Sequence, residues 1–584
     1  MKTPKKISSW KSLSFLLSYF AKQKGVIALL LTIVIAANGL ALYIPLLTGD
    51  MIEILRNATS IPIDSHFAKI GYSMLSISLI VWLLTAVQNA IIVVIGQKLT
   101  YSLRIDVYEH LMHLPISFTD THTTGNVLSI VISDINNVSD TISTDLVTLL
   151  AGVISVFGSL AMMLALSPEL TLIFAVTIPL MIFVTKTIAS RARRYHRKRK
   201  AMFGFVSGFV EEILTAQKSS IIYNTESDNI RDFDKYSGEL CEHGIKAGAI
   251  SSLMMPASSL INNLNFSLIC IVGTLLVIAG RLSLGAISSF ILLSKKFSGP
   301  IVDSSDIIAS FQSTFASCDR IFTILSQEIE EPIASIPAKM DRFQGKIEFR
   351  NVSFSYNEAD VVLKNISFTV QPHQKIALVG ATGSGKTTII SLLLRFYKEQ
   401  EGQILIDDKD INSYPLRELR RHFGLITQNS WIFQGSIMSN LSYASLEEKI
   451  DREEVMRLCS QIQVDEFIGT LADHYDTVLM SDSGGLSDGQ VELINIARAF
   501  LSNPDIFILD EATASIDPQT EQKIQKTTDE VLRGKTSIII AHRLNTIKSA
   551  DNIFVLKAGE IVESGTHAAL LEKNGYYSEI YQSK

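Results

Sequence analysis

One stretch of the chain combines glycines, a lysine and threonines at a spacing suited to holding phosphate. It reads Gly380-Ala381-Thr382-Gly383-Ser384-Gly385-Lys386-Thr387-Thr388, which fits the pattern G-x-x-x-x-G-K-T. Glycines let successive backbone N–H groups turn toward one polyphosphate, and a helix start adds the positive end of its dipole. Lys386 would reach the terminal phosphates, and the Thr387 hydroxyl would ligate Mg²⁺. We therefore predict that the protein binds a nucleoside triphosphate.

The residues on either side of this loop have the character that a phosphate site needs. Residues 376–379 are a short apolar run typical of a buried strand, and residues 389–394 continue at helical length. A strand, this loop and a helix in that order are the context in which the pattern binds phosphate. A glycine-rich turn without a ligand is the alternative, and the agreement of all three parts argues against it.

Composition separates the chain into two unlike halves. Hydrophobic residues make up 47% of the 584 residues, and nearly all the long apolar stretches lie before residue 320. The net charge of −6 gives no general argument for a nucleic-acid partner. The four cysteines lack the paired spacing of a disulfide framework or a zinc site. The first apolar run is too long for a cleaved signal peptide, so we predict that it stays in a membrane.

The first half is predicted to be an α-helical membrane domain with long cytoplasmic extensions. Its six candidate spans, the last interrupted by charge, are residues 26–47, 70–95, 146–166, 170–188, 249–279 and 286–311. Lysines precede the first span, and a cluster of Lys and Arg at 191–200 follows the fourth. Because Lys and Arg mark the cytoplasmic side, both termini and both long connections are expected in the cytosol. Topology explains the cluster better than binding to nucleic acid does.

Two groups of polar residues inside these spans are candidates for a substrate path. Lys295 and Lys296 lie well inside the sixth span, where a charged side chain is costly and by default suggests a function. The alternative is that both lysines are merely solvated in an aqueous cavity. Ser258, Asn262 and Asn265 share one face of the fifth span at helical spacing. They either line the substrate path or hydrogen-bond to a neighbouring helix.

The second half begins after a linker. Acidic residues and prolines mark residues 327–344, and an alternating strand pattern starts at 345. From there to residue 584 the pattern is that of a soluble α/β domain. We therefore predict three parts, which are a membrane domain at 1–326, the linker at 327–344 and an α/β P-loop domain with a helical subdomain at 345–584.

Further short motifs accompany the phosphate-binding loop in a fixed order. They are Tyr356, Gln428, the run Leu486-Ser487-Asp488-Gly489-Gln490, the pair Asp510-Glu511 after an apolar strand, Asp517 and His542. Residues 345–584 with these motifs resemble the nucleotide-binding domain of an ABC transporter. The resemblance implies an ATPase coupled to transport, with ATP and Mg²⁺ as cofactors.

The resemblance also implies a role for each motif. Tyr356 would stack on adenine, Gln428 would contact Mg²⁺ and the attacking water, and Asp510 would hold Mg²⁺ through water. Glu511 would act as general base, and His542 would contact the γ-phosphate. Asp517 would belong to the D-loop. The run 486–490 would face the ATP bound by a second chain, so the protein is expected to be a half-transporter that dimerises.

The membrane half is similar to the six-span domain of ABC exporters. The supporting residues are Leu103-Arg104, the run Leu114-Pro115-Ile116-Ser117-Phe118 with Thr124-Gly125, residues 297–300 and Arg320-Ile321-Phe322. By this resemblance, segments near 118–124 and 216–223 would be the coupling helices that dock on the ATPase domains. The protein would then be a multi-pass protein of the bacterial cytoplasmic membrane.

The chain departs from the family pattern on one side of the nucleotide. Asp488 stands where the signature usually has glycine, Val491-Glu492 replace Arg-Gln, and Met480-Ser481-Asp482-Ser483 replace Gly-Glu-x-Gly. This one-sidedness resembles the fully catalytic half of heterodimeric bacterial multidrug exporters. We expect ATP-driven efflux of amphipathic drugs, lipids or peptides by one half of a heterodimer. A homodimeric lipid or peptide exporter is the alternative, followed by an exporter-fold importer of metal chelates and a regulatory protein that does not pump.

Overall fold

A computed structural model describes most of the chain. The described residues are 24–57, 65–330, 342–357, 360–427, 431–445, 451–480, 485–510, 528, 532–540 and 547–582. They fall into two compact units, one of Met1–Met112 with Thr124–Gln327 and one of His113–Thr123 with Glu328–Lys584. The second unit thus includes a short segment from the middle of the first half, which the sequence-based division at 1–326 does not separate.

Every secondary-structure element described in the first half is a helix. Its helices are α1 Lys24–Asn57, α2 Ser65–Met112, α3 Ile116–Thr121, α4 Thr124–Leu166, α5 Pro168–Thr215, α6 Gln217–Tyr223, α7 Glu226–Ser252, α8 Met254–Ile278 and α9 Leu284–Leu325. Helix α3 belongs to the second unit and the others to the first. Helix α4 contains two π-helical turns, at Ile130–Asp134 and Thr141–Asp145.

Within the described residues, five of these helical stretches are long and apolar enough to cross a membrane. They are α1, α2, α4, α5 and the pair α7–α8, and they contain the first five predicted spans except for Ala279 at the end of the fifth. The sixth predicted span, 286–311, lies in α9 but is not among the five. Lys295 and Lys296 lower its hydropathy, as the charge interruption in the sequence indicates.

Local sequence explains where several of these helices begin. Ser167 caps α5 by accepting a hydrogen bond from the Leu170 N–H at 3.3 Å, and Pro168 occupies the first helical position. The predicted span 249–279 is divided at Leu253, three residues before Pro256, since proline is tolerated only in the first turn of a helix.

Two glycines allow α1 and α9 to approach closely. A Cβ atom at Gly49 would lie 2.5 Å from the Gly285 carbonyl oxygen, and one at Gly285 would lie 2.2 Å from that of Gly49. Small residues at such a contact let two backbones meet inside a membrane domain, where dispersion forces drive helix packing. The pair therefore fixes the contact between α1 and the beginning of α9.

Within its described residues the second unit contains two main sheets and a two-stranded ribbon. Its strands are β1 Ile347–Asn357, β2 Asp360–Val370, β3 Lys375–Gly380, β4 Glu401–Ile406, β5 Lys409–Asp410, β6 Phe423–Ile426, β7 Gly435–Ser436, β8 Val478–Leu479, β9 Ile506–Asp510, β10 Thr536–Ile540, β11 Asn552–Lys557 and β12 Glu560–Gly565. The strand orders are β2-β1-β4-β5, β12-β11-β3-β10-β9-β6 and β7-β8. In the six-stranded sheet the five strands from β11 to β6 are parallel, and β12 is antiparallel at one edge.

The helices described in this unit beyond α3 are mostly short. They are α10 Lys386–Leu393, α11 Leu416–Arg421, α12 Ile437–Leu441, α13 Arg452–Gln461, α14 Asp465–Ile468, α15 Asp488–Leu501, α16 His567–Glu572 and α17 Tyr576–Gln582. Strand β3 shows how the six-stranded sheet is buried on both faces. Ile376 and Leu378 pack into one hydrophobic cluster with β1, β2 and α10, whereas Ala377 and Val379 pack into a second cluster with α15. This explains the unbroken apolar run before the phosphate-binding loop.

The segment His113–Thr123 is held in the second unit by polar and apolar contacts. The His113 carbonyl accepts a hydrogen bond from the Glu330 N–H at 2.8 Å, and the Tyr397 hydroxyl donates to the Asp120 carboxylate. Leu114 and Phe118 are buried. Helix α3 thus covers most of the first predicted coupling segment, 118–124.

Candidate functional site

The phosphate-binding loop connects the end of β3 to the start of α10. Gly383 and Gly385 have φ angles of +80° and +103°, in the left-handed region that glycine adopts without strain. A Cβ atom at Gly380 would lie 2.4 Å from the Leu556 carbonyl oxygen, and one at Gly385 would lie 2.5 Å from Leu363. At Gly380 the backbone neighbour therefore excludes a side chain, and at Gly385 the positive φ together with the Leu363 methyl group disfavours one.

The first turn of α10 is open to an anion. Gly385 at the helix cap offers no side chain to accept hydrogen bonds from the first N–H groups, so these groups and the helix dipole remain for a ligand. Lys386 is buried, and its ammonium donates to the carbonyls of Gly380 at 3.0 Å and Ala381 at 2.9 Å. The Ser384 hydroxyl is buried and, among the described residues, has no hydrogen-bond partner. An unpaired hydroxyl, a cation and a helix start together fit a bound polyphosphate.

The parallel strands place Asp510 at the same edge of the sheet as the loop. Asp510, the last residue of β9, is in register with Ile540 at the end of β10, and Ile540 is in register with Leu378 of β3. Asp510 and the exposed Thr387 are hard oxygen donors, the type that Mg²⁺ prefers. The predicted residues Gln428, Glu511, Asp517 and His542 lie outside the described residues.

Tyr356 presents an exposed ring close to the loop. Its side chain is 45% exposed, and its hydroxyl donates to the Thr388 hydroxyl at 3.2 Å. The rings of Phe354 and Tyr397 meet it edge-on, each with centroids 4.9 Å away. These contacts fix the ring beside α10 and leave surface available for stacking on a base.

The predicted signature lies at the start of α15, which is capped differently from α10. The Ser487 hydroxyl accepts a hydrogen bond from the Gln490 N–H at 3.3 Å, and the Gln490 side chain accepts one from the Ser487 N–H at 2.9 Å. This is a capping box, so two backbone donors are already satisfied within the helix. Asp488 adds a carboxylate to the first turn, and Leu486 and Gly489 are buried. The Ser487 hydroxyl hydrogen remains free in direction to donate to a phosphate.

Comparison with known proteins identifies both halves. Residues 27–301 match the family model described as ABC transporter transmembrane region, and residues 363–514 match the model described as ABC transporter. The chain belongs to the ABC transporter family. It therefore binds ATP, couples ATP hydrolysis to transport and is a multi-pass protein of the cytoplasmic membrane.

Three relatives illustrate the range of proteins that resemble this transporter. An uncharacterized ABC transporter ATP-binding protein, YfiC, of Bacillus subtilis is 36% identical over 567 residues, which are 97% of this chain and 93% of the relative. A fatty acid ABC transporter ATP-binding/permease protein of Mycobacterium bovis is 34% identical over 87% of this chain and 79% of its own. The ATP-dependent lipid A-core flippase of Escherichia coli K12 is 34% identical over 84% of each chain.

A contact that the sequence did not predict links the aromatic residues beside the phosphate-binding loop to α3. Tyr397 packs edge-on against Tyr356 and donates from its hydroxyl to Asp120. Burial, followed by the hydrogen bond to Asp120, raises the pKa of Tyr397 above its usual range, so this hydroxyl remains a donor at neutral pH. No motif marks Tyr397 or Asp120, because their pairing spans distant parts of the chain. The second predicted coupling segment, 216–223, forms α6 in the membrane unit.

The polar residues predicted on the fifth span do not share one environment. Ser258 and Asn265 of α8 are buried, whereas Asn262 is exposed. The Asn265 side-chain oxygen is buried and has no hydrogen-bond partner among the described residues. The helical spacing therefore groups three residues that the packing of the membrane unit separates.

The two predicted lysines of the transporter also differ. Lys295 is exposed and Lys296 is half-buried, both within α9. Pro300 lies four residues after Lys296 and has no N–H, so it cannot donate to the Lys296 carbonyl as a helix requires. The Ser155 hydroxyl of α4 donates to that carbonyl at 3.1 Å instead. The proline leaves the Lys296 carbonyl without its helical donor, and Ser155 supplies one. Pro300 is the sequence signal that could have predicted this contact.

Proposed function

We propose that the transporter uses ATP to export amphipathic substrates by alternating access, as one half of a dimer with a different half-transporter. The observation that carries this proposal is the contrast between the two helix starts. The α10 end has an uncapped helix and a lysine, whereas the α15 end is already capped and bears Asp488. This chain has a complete phosphate-binding loop but a signature that departs from the family pattern. Such a chain fits a dimer in which the partner supplies a signature of the usual sequence.

In this proposal the α10 side of the chain performs hydrolysis. Lys386 and the loop N–H groups hold the phosphates, Tyr356 stacks on adenine, and Thr387, Gln428 and Asp510 hold Mg²⁺. The metal, when bound, neutralises charge on the phosphates. Glu511 takes the proton from the attacking water, and His542 orients that water. Asp517 contributes to the contact between the two ATPase domains.

A lipid-like substrate is the form of this proposal that the comparisons favour. Two of the relatives named above have fatty acid and lipid A-core in their names, and each covers most of this chain. A homodimeric lipid exporter is the second candidate, and the same two names favour its substrate class but not its oligomeric state. Ser258, Asn262, Asn265, Lys295 and Lys296 remain the proposed residues of the substrate path.

The test is to purify the chain alone and together with a half-transporter encoded beside its gene. We expect ATPase activity coupled to transport only from the pair. Transport is measured as uptake of fluorescent lipids into inside-out vesicles. Glu511→Gln in this chain should abolish ATPase activity and lipid uptake by the pair. The equivalent change in the partner should change both only slightly. Robust lipid-stimulated ATPase and uptake from this chain alone would replace the heterodimer with the homodimer.

A further inference from the structure

Two short stretches of the second unit follow closely on long helices of the first. His113 comes directly after Met112, the last residue of α2, and Glu330 comes five residues after Leu325, the last residue of α9. The Glu330 N–H donates to the His113 carbonyl at 2.8 Å, so the two stretches are bonded to each other. Five residues of chain span at most about 18 Å, so a contact that fixes Glu330 also restrains the end of α9.

Arg420, in the last turn of α11, holds the Glu330 carboxylate at two points. Its two terminal nitrogens donate to the two carboxylate oxygens at 2.6 and 2.9 Å. The Glu330 side chain is 21% exposed and that of Arg420 29%, so the pair is largely shielded from water. A two-point contact of this kind is stronger and more strictly oriented than the exposed ion pairs that contribute little to stability.

The same arginine binds the C-terminal end of α10, the helix that begins at the phosphate-binding loop. Its Nε donates to the Leu394 carbonyl at 3.0 Å, and one terminal nitrogen donates to the Arg395 carbonyl at 3.0 Å. Its guanidinium lies over the Phe396 ring, 5.0 Å from the centroid. A cation is favoured at this end, because the last carbonyls of a helix lack partners within it and carry the negative end of its dipole. Arg420 thus connects α10 to Glu330.

A second contact joins the residues after α10 to the segment that contains α3. The Tyr397 hydroxyl donates to the Asp120 carboxylate, close to the end of the segment His113–Thr123. Residues 394–397 therefore hold this segment near both of its ends, at its start through Arg420 and Glu330 and near its end through Tyr397. All of these contacts lie within the second unit.

We propose that the Glu330–Arg420 ion pair is a positioning contact that passes nucleotide binding on to the ends of α2 and α9. A shift of α10 on nucleotide binding carries Arg420, Glu330 and His113 with it, because each is hydrogen-bonded to the next in a continuous series. Neither side chain of the pair belongs to the phosphate-binding loop. Loss of the pair should therefore separate the membrane helices from nucleotide binding without weakening that binding.

The test is hydrogen exchange on the full-length transporter, in lipid nanodiscs and in the dimer that it forms, with and without Mg²⁺ and the non-hydrolysable analogue AMP-PNP. In the wild type, AMP-PNP should change amide exchange at the ends of α2 and α9, residues 103–112 and 316–325. In Glu330→Gln, which keeps the shape of the side chain but removes its charge, this change should shrink about twofold or more. The affinity for AMP-PNP should stay the same. Glu328→Gln, at an exposed residue of the same stretch, is the matched control and should respond as the wild type does.

Variants of the arginine separate positioning from a general loss of structure. Arg420→Lys keeps the charge but cannot make the two-point contact, so the response to AMP-PNP should be intermediate. Glu330→Gln and Arg420→Lys together should be no worse than the stronger single change, because both remove the same contact. Arg533→Lys, at an exposed arginine, is the control. A purely structural role would raise exchange equally with and without AMP-PNP and leave the difference between the two states unchanged.

Three results would overturn the inference. They are an equal response in the wild type and in both variants of the pair, a wild type whose α2 and α9 ends do not respond to AMP-PNP, and a loss of AMP-PNP affinity that accompanies the loss of response. If Glu330→Gln does not fold, Arg420→Lys tests the same contact alone. The substrate and the identity of the second half-transporter do not enter this experiment. Failure of lipid uptake, or uptake by the chain alone, would therefore change the proposed function and leave this result as it stands.

Discussion

Helices α10 and α15 both begin at residues predicted to face phosphate, but their first turns are built in opposite ways. The cap of α10 is a glycine at φ +103° with no side chain, and a buried lysine follows it. The cap of α15 is Ser487 in a closed capping box, and a carboxylate follows it. A helix start without a side-chain cap leaves its N–H groups to a ligand or to water, whereas a capping box already satisfies two backbone donors. The first end is therefore suited to hold ATP, and the second to supplement a site built by another chain.

The largest effect should come from Glu511→Gln, which tests whether the α10 side is the hydrolytic one. The change keeps the shape of the side chain and removes the proposed general base. Turnover should fall by about 10²–10⁴-fold, while ATP binding is retained. Steady-state ATPase and nucleotide binding measure the two quantities, with exposed Glu560→Gln as the control. Near-normal turnover would remove Glu511 from its proposed role.

Lys386→Ala should have the next largest effect. It removes the cation beside the open helix start, so ATP affinity should fall about 10- to 100-fold, the range for hydrogen bonds to charged groups. Fluorescent ATP titration measures this affinity, and Lys573→Ala, at an exposed lysine, is the control. An unchanged affinity would mean that the loop N–H groups alone hold the phosphates.

Ser487→Ala tests the two roles of the serine at the capped start of α15. The variant loses both the cap of α15 and the hydroxyl that can donate to phosphate. The free energy of unfolding should fall by about 0.5–2 kcal/mol. ATP affinity should fall by about tenfold at the composite site, which Ser487 would form with the ATP-binding residues of the second chain. Ser487→Thr should restore both, since threonine also caps and donates. Chemical denaturation and nucleotide trapping in the dimer measure them, and a loss of stability alone would restrict Ser487 to capping.

Asp488→Asn should have the smallest effect, and in the opposite direction. The carboxylate interacts favourably with the helix dipole, by about 0.3–1 kcal/mol, but it repels a phosphate placed at the same end by about 1 kcal/mol or less in water. Removing its charge should raise ATP affinity at the composite site by about two- to fivefold, most clearly at low salt. Asp451→Asn, at the exposed start of α13, is the control. A weaker affinity would show that Asp488 contributes a contact rather than repulsion.

The sequence predicts local structure correctly where one short run of residues determines that structure. The loop from Gly380 to Thr388 and the cap at Ser167-Pro168 have the structures their patterns indicate. Contacts between distant segments gave no such signal. Asp120 and Tyr397 are 277 residues apart, and Ser155 meets Lys296 across 141 residues. The sixth predicted span, 286–311, stays a prediction, because Lys295 and Lys296 lower the hydropathy of α9 and it is not among the five described stretches that are apolar enough to cross a membrane.

The placement of His113–Thr123 in the second unit has a consequence for how the chain folds. This segment is synthesised before residues 328–584, so the surface on which it lies appears only after the membrane helices have been made. Contacts of such long sequence separation form late, because loop closure must precede them. Until the segment 113–123 docks, the ATPase unit exposes a surface that the segment later covers. Such exposed surface favours aggregation. An isolated 345–584 fragment would remain permanently in that incomplete state.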